Sequence, residues 1–425
     1  MNVLIIGGGG REHTLAWKLS RSPGVRKIVC APGNAGTARL GENVPLKITD
    51  IDGLLRLARE RAIDLTVVGP DDALAAGVVD RFRAEGRRIF GPTRAAARLE
   101  WSKIFTKEFL LRHGIPTAAA GRFEHVDEGV AFCREQSGPL VVKADGLATG
   151  KGVIIARDPD EAARAVEEMM TAGRFGEAGR RVLVEEFLEG REVSLHAMID
   201  GRNYRLLPAA QDYKRAGEGD NGENTGGMGS VSPPPLPLDA DTERRIHTEI
   251  MRPLMAGLHA EGIEFQGLLF PGLMLTAAGP RVLEFNARFG DPETQVLLPR
   301  LRSDLLPVLE ATIDGHLDRV EMDWDPRPAV CVVLTSAGYP GAYETGRVVT
   351  GLDAVPPEGD DLLVFHAGTR LDGGRVVTSG GRVLGVTALG RDLADARGRA
   401  YEAAAHIAFE GRTLRRDIAA GSPLA

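Results

Sequence analysis

The chain has 425 residues, enough for about three domains at roughly 100–200 residues each, so its folding requires neither a disulfide framework nor a metal staple. Hydrophobic residues make up 43% and charged residues 26%, which is globular usage. The balance of 52 Lys and Arg against 59 Asp and Glu gives a net charge of −7, with no basic surplus to hold a nucleic-acid backbone. Cys30, Cys133 and Cys331 are too scattered for a zinc site, and no run reaches the ~18 apolar residues of a membrane span. Met1 leads directly into a strand without a leader pattern. These features predict a cytoplasmic protein that binds neither nucleic acid nor membrane.

Residues 2–92 alternate strands and helices in the manner of a parallel sheet: strand Asn2–Ile6, a glycine cluster, a helix through Leu15, Ala16 and Leu19, strand Lys27–Cys30, a helix from Ile51, strand Leu65–Val68, helix Ala73–Phe82 and strand Arg88–Phe90. This is a doubly wound α/β unit, with ligands expected at the C-terminal ends of its strands. Helices over Ala95–Leu99 and Lys103–Leu111 lead into a different texture. Strands Leu140–Lys143, Gly152–Ala156, Arg181–Glu186 and Glu192–Ile199, with one helix at Asp160–Met170, read as antiparallel α+β structure. Residues 214–235 form a glycine-rich loop running into Ser232–Pro237, too rich in glycine and proline to pack as a core element. Helix Thr242–Ala260 and strands Gly267–Leu275 and Arg281–Asn286 follow. Beyond Pro328 come strands, glycine turns and one helix, Leu393–Ala408, a third small unit of mixed α/β character.

Four constellations can carry chemistry. Gly7–Gly10 followed by Arg11-Glu12-His13 places backbone N–H groups and a helix N-terminus where an anion can sit, and a tight turn without ligand is the alternative. The dinucleotide fingerprint is incomplete, because Glu12 and His13 replace its third glycine and no acidic residue closes the second strand. Asp145–Gly152 resembles a phosphate-binding loop, with three residues between Gly146 and Gly150 instead of four and Gly152 in place of Ser or Thr. It lies between two strands, where it can fold over a polyphosphate and present Lys151. Lys143 occupies a buried-looking strand face, and a solvated strand edge is the alternative. In Arg281–Thr294, Glu284, Asn286 and Arg288 share one strand face, with Leu283, Phe285 and Phe289 on the other. A carboxylate and an amide oxygen suit a hard divalent cation, and Arg288 suits a phosphoryl or carboxylate group. A merely amphipathic strand is the alternative. At the base of the Gln211–Gly229 loop, Asp212 and Lys214 are the side chains placed to touch a ligand.

Gly7–Ala16, Phe90–Lys103, Asp145–Val153, Gln211–Gly229, Glu284–Leu298 and Gly381–Gly390, taken in order, resemble the phosphoribosylamine–glycine ligase (glycinamide ribonucleotide synthetase) family of the ATP-grasp superfamily over essentially the whole chain. The resemblance implies a Rossmann-like substrate domain at 1–102, an ATP-grasp domain at 103–325 with a lid subdomain at about 118–190, and a C-terminal domain at 326–425. It implies ATP-dependent ligation of glycine to 5-phosphoribosylamine through glycyl phosphate in purine synthesis, with Mg²⁺ or Mn²⁺, usually by a monomer. By residue, it implies ATP contacts at Lys103, Lys143, Gly146, Gly150 and Lys151, an adenine hinge at Glu186 and Leu188, and a ribose partner in Glu192. Glu284 and Asn286 become metal ligands. The substrate pocket comprises Gly8, Gly9, Gly10, Arg11, Glu12, His13, Asp212, Lys214, Arg288, Asp291, Pro292, Glu293 and Thr294, with Arg288, Lys151 and Asp212 catalytic. The chain departs from the family pattern at Tyr213, where His is usual, and at Asn221, Glu223 and Ser230-Val231-Ser232. Another ATP-grasp carboxylate–amine ligase, a biotin-dependent carboxylase, a nicotinamide oxidoreductase and a non-catalytic ATP-binding regulator are the competing readings. The first turn and the Gln211–Gly229 loop favour the synthetase.

Overall fold

The computed structural model describes residues 1–147, 152–171, 176–355 and 359–420. The N-terminal strand Asn2–Gly7 is apolar and buried on both faces, as a central parallel strand must be. It pairs in parallel with Lys27–Pro32 on one side and Leu65–Val68 on the other. Glu42–Asn43 and Ile89–Phe90 complete a five-stranded sheet at its edges. The C-terminal end of Asn2–Gly7 therefore delivers the glycine cluster to the top of the sheet, where helix Gly10–Ser20 begins. The helix expected over Ala73–Phe82 is divided into Asp71–Ala75 and Val78–Ala84. Gly77, at φ +86°, adopts the left-handed conformation that breaks it.

The lid is a four-stranded antiparallel sheet in the order Ala120–Phe123, Val182–Glu186, Leu140–Ala144, Val153–Ala156. Two helices cover one face. Pro159–Thr171 was legible in the sequence, and Val126–Glu135 was not. In the latter the apolar positions Val126, Val130 and Cys133 follow helical spacing, but Gly129 interrupts the short run. The missing side chain at Gly129 lets the two helices approach, since a Cβ there would lie 3.0 Å from Val166.

The central sheet is built on the long strand Gln266–Thr276, which pairs with Gly279–Asn286 along one edge. The strand expected over 192–199 is in fact two, Arg191–Ser194 and Ala197–Asp200, divided at Leu195-His196. Both pair with Gln266–Thr276. Gly279–Asn286 carries a bulge: Glu284 pairs with Gly272 but Val282 with Leu273. The bulge leaves Leu283 half-buried and puts Val282 in the core, so the apolar face assigned to Leu283 belongs to Val282. Phe285, Ala287 and Phe289 remain buried as the alternation requires.

The last sheet runs Gln211–Asp212, Gly229–Ser232, Ala329–Thr335, Arg382–Leu389, Leu362–His366, with helix Leu393–His406 packed against it. Two of its strands thus come from the segment expected to be an unpacked loop. Gly229–Ser232 is wholly buried, and residues 215–224 form a hairpin lying against residues 415–419. The glycines of this segment serve the hairpin's bulge and turn, so glycine content was a poor guide to packing here.

Candidate active site

Strand Leu140–Ala144 aims Lys143 toward the central sheet. Its Nζ donates to the Leu283 carbonyl at 3.0 Å and pairs with Glu185 Oε2 at 2.7 Å. Glu185, on the neighbouring lid strand, pairs through its other oxygen with Lys107 Nζ at 2.8 Å. Lys107 also donates to Thr117 Oγ1 and the Ala118 carbonyl. Lys107 lies one helical turn after Lys103, on the same face. Lys103 Nζ donates to the Gly146 carbonyl at 3.1 Å, and burial lowers its pKa. Asp145 accepts from Ser102 Oγ and the Ile104 amide and pairs with Arg181 at 2.6 Å, which fixes the start of the glycine loop over helix Lys103–Arg112. Gly150 and Lys151 lie outside the described residues. A cleft of about 880 Å³ opens beside Gly146 and Leu147, between Ala75, Arg94 and Trp101 of the N-terminal side and Ala178 and Arg181 of the lid. At the lid's base Glu186 accepts from the Ala119 amide, and Leu188 is half-buried just beyond it.

Strand Gly279–Asn286, which Lys143 meets at the Leu283 carbonyl, carries Glu284 and Asn286. Burial raises the pKa of Glu284, but Lys214, Lys143 and Lys103 outweigh it and hold the group at about 2, a carboxylate at any physiological pH. Lys214 Nζ lies 3.5 Å from Glu284 Oε1 and pairs with Glu192, and these carboxylates keep it charged in spite of burial. Burial drives Asp212 the other way, well above the usual carboxylate range. Lys214 opposes that shift, and Glu293, Glu192 and Glu284 add to it. Glu293 is raised as well, by burial. Arg288 donates to Asn286 Oδ1 at 3.1 Å and pairs with Glu100 at 3.0 Å, and its guanidinium lies over the Phe270 ring. The other Glu100 oxygen accepts the Ala287 amide at 2.9 Å, so one carboxylate fixes both the strand end and the arginine.

The glycine turn closes the site from the N-terminal side. Glu12 is the helix's own cap: its Oε2 accepts the Gly9 amide at 2.6 Å and its Oε1 pairs with Arg11, with both side chains buried. Arg11 in turn donates to the Phe289 carbonyl at 3.0 Å, which ties the turn to residues 289–295. Asp291 pairs with Arg382 at 3.2 Å and accepts from Gln295, and a Cβ on Gly10 would lie 2.5 Å from that Gln295 amide. Burial raises the Asp291 pKa, but Arg382 and Arg11 prevail and hold it down. His13 faces the C-terminal domain. Its Nδ1 accepts the His366 amide at 2.7 Å, and burial holds the ring neutral. Asn34 donates to the carbonyls of Gly8, Gly9 and His366, pinning the turn to that domain.

Family models for phosphoribosylglycinamide synthetase match the chain in three consecutive pieces, the N domain at 1–100, the ATP-grasp (A) domain at 101–294 and the C domain at 329–421. The chain belongs to the phosphoribosylglycinamide synthetase family. Phosphoribosylamine–glycine ligases of Vibrio vulnificus and Allochromatium vinosum are 51% and 52% identical to it, each alignment covering 98% of this chain and 97% and 98% of the relative. The crystal structure of the Thermotoga maritima phosphoribosylamine–glycine ligase superposes with a TM-score of 0.85 at 36% identity, covering 98% of this chain and 100% of that one. A Hydrogenobacter thermophilus biotin carboxylase domain, solved with MgADP, shares the fold at a TM-score of 0.73 but only 16% identity. The chain is therefore an ATP-using ATP-grasp ligase with phosphoribosylamine–glycine ligase activity, acting in purine biosynthesis. No helix among the described residues is long and apolar enough to cross a membrane.

The structure brings Lys103, Lys143, Glu192, Lys214, Glu284, Asn286 and Arg288 into one charged cluster, with Asp212 and Glu293 joined to them electrostatically. Among the expected pocket residues, Glu12 caps its own helix, His13 accepts the His366 amide, and Thr294 donates to the Gly290 carbonyl. Pro292 contributes its carbonyl to Ser230. Sequence reasoning missed Glu100, Lys107, Glu185, Arg382 and His196. A glutamate on the buried side of the apolar strand Val182–Glu186, and a lysine four residues after Lys103, were available signals. Nothing local marked Glu100 or Arg382. His196 is fully buried and stacked on Phe270 with both ring nitrogens unpaired. Burial pushes its pKa down to about 3, so it is a neutral group.

Burial raises the Glu100 pKa to about 7, more than Arg288 lowers it. The folded protein therefore takes up a proton that the unfolded chain, near 4.5, releases, and this group's contribution to stability falls as pH rises from about 4.5 to 7. Glu100→Gln, neutral throughout, should gain stability relative to the wild type by on the order of 2–3 kcal/mol between pH 5 and pH 8 in urea denaturation. A stability difference independent of pH would contradict the assignment.

Proposed function

We propose that the ligation runs in the cleft between the lid strand carrying Lys143 and the central strand carrying Glu284 and Asn286. The observation that supports this most is the approach of the two strands: Lys143 Nζ bonds the carbonyl of Leu283, the residue immediately before Glu284. Lys103, Lys143 and the loop Gly146–Lys151 hold the ATP phosphates, as fixed positive charge facing a transferring phosphoryl group should. The Glu186–Leu188 hinge meets adenine, and Glu192 meets the ribose hydroxyls.

Glu284 and Asn286 fit a divalent cation. The carboxylate is held ionised, the amide oxygen stands two residues along the same strand face, and phosphates complete such a set. Bound there, Mg²⁺ or Mn²⁺ offsets phosphate charge. Arg288, braced by Glu100, orients the glycine carboxylate, whose oxygen attacks the γ-phosphorus and releases ADP to leave glycyl phosphate. The phosphoribosylamine nitrogen then attacks the acyl carbon, phosphate departs, and Asp212 is placed to take the proton the amine sheds. The backbone of Gly8–Gly10 with Arg11, and the Asp291–Glu293 turn with Lys214, enclose the two small substrates. Glu12, His13 and Thr294 support that enclosure from behind. The enzyme works as a cytoplasmic monomer.

Purified enzyme should release ADP at full rate only with glycine, phosphoribosylamine and divalent cation all present. Equal release with either small substrate omitted would overturn the substrate assignment. Glu284→Gln should lower kcat by about a hundredfold or more and shift the Mg²⁺ titration to higher concentration, since it replaces the charged member of the ligand pair. An unchanged titration curve would remove Glu284 from the metal site.

A further inference from the structure

Asp212, Tyr213 and Lys214 are consecutive, and in extended chain the middle residue points away from its neighbours. Lys214 reaches Glu192 and Glu284, and Asp212 lies within electrostatic range of the same groups. Tyr213 faces the C-terminal domain, where its side chain is only 6% exposed among Met228, Val231, Ile418 and Ala419. Its Oη accepts the Ala419 amide at 3.0 Å. The Arg415 guanidinium lies 5.3 Å from the Tyr213 ring centre. Arg415 is 1% exposed, the largest fully buried side chain of the described residues. It donates to the Arg215 carbonyl at 3.0 Å and to Asp220 at 2.9 Å, and it is paired with Asp417, which also accepts the Gly219 amide. A cation taken this far from water is tolerated only with such complete pairing, so its position is stiffly determined. The network reaches across about two hundred residues of sequence and terminates on the backbone immediately after Lys214.

We propose that Arg415 and Tyr213 form a clamp through which the C-terminal segment holds the 212–215 backbone from behind, making both of them positioning residues for Lys214 and Asp212 in the ligation. The clamp rests on the placement of Lys214 in the site proposed above. Tyr213 provides a hydroxyl that reaches Ala419 and an aromatic face for Arg415, which gives the residue at which this chain departs from the usual His a definite use.

A double-mutant cycle on the full-length enzyme tests this, with kcat from steady-state ADP release. Arg415→Met should lower kcat about tenfold, Lys214→Met by more, and Arg415→Met should add less than about twofold in the Lys214→Met background, because its effect is exerted through that lysine. Tyr213→Phe removes only the Oη contact. It should cost about two- to threefold and likewise lose its effect in the Lys214→Met background, which carries the test if Arg415→Met does not fold. Losses that multiply in the double variants would overturn the clamp, as would singly substituted enzymes with wild-type kcat. A Lys214→Met enzyme that turns over normally would overturn the placement of Lys214 together with the clamp, whereas multiplying losses overturn the clamp alone.

Discussion

The cleft depends on one buried carboxylate. Glu185 stands between Lys107 and Lys143, so that a helix of the ATP-grasp core and a strand of the lid share a single counter-charge. Without it two ammonium groups would be left in a water-poor interior. Breaking a buried pair costs about 3–5 kcal/mol, so the lid sheet and helix Lys103–Arg112 have one strongly preferred relation. Lys143 also donates to the Leu283 carbonyl, and Lys107 gives its two other hydrogen bonds to Thr117 and Ala118, in the segment that leads into the lid. The joint sits beside Glu284, because Lys143 bonds the residue just before it.

The electrostatics follow from the same arrangement. A chain of net charge −7 cannot attract an anionic nucleotide through its overall field, so positive charge must be gathered locally. Lys103, Lys143, Lys214 and Arg288 converge on one carboxylate, Glu284, which they keep ionised, while Glu100, Glu185 and Glu192 hold the cations in place. Asp212 and Glu293 differ, since burial raises both.

Much of this was legible in the sequence because it depends on local periodicity. Strand alternation correctly placed Glu284, Asn286 and Arg288 together, and the burial pattern of 285–289 follows it. It failed one residue upstream, where the bulge at Leu283 shifts the faces, since a bulge is set by pairing with Gly272 and Leu273 and not by the strand's own sequence. Lys143 was singled out as a lysine on an apolar face, and the same reasoning applied to Glu185 would have found its partner. Glu100 and Arg382 were out of reach: each meets its target across about a hundred or more residues, and neither carries a local pattern. The Gln211–Gly229 segment was misread because composition says how freely a chain can bend and nothing of what waits to pack against it. A fully buried arginine two hundred residues later turns that hairpin into ordered structure.

The most direct test is a crystal structure of the enzyme with a non-hydrolysable ATP analogue and Mg²⁺. The account predicts the triphosphate within hydrogen-bonding distance of Lys103 and Lys143, adenine against the Glu186–Leu188 hinge, and the cation held by Glu284 and Asn286. A nucleotide bound instead at the Gly7–Gly10 turn, or a cation held without Glu284, would contradict it.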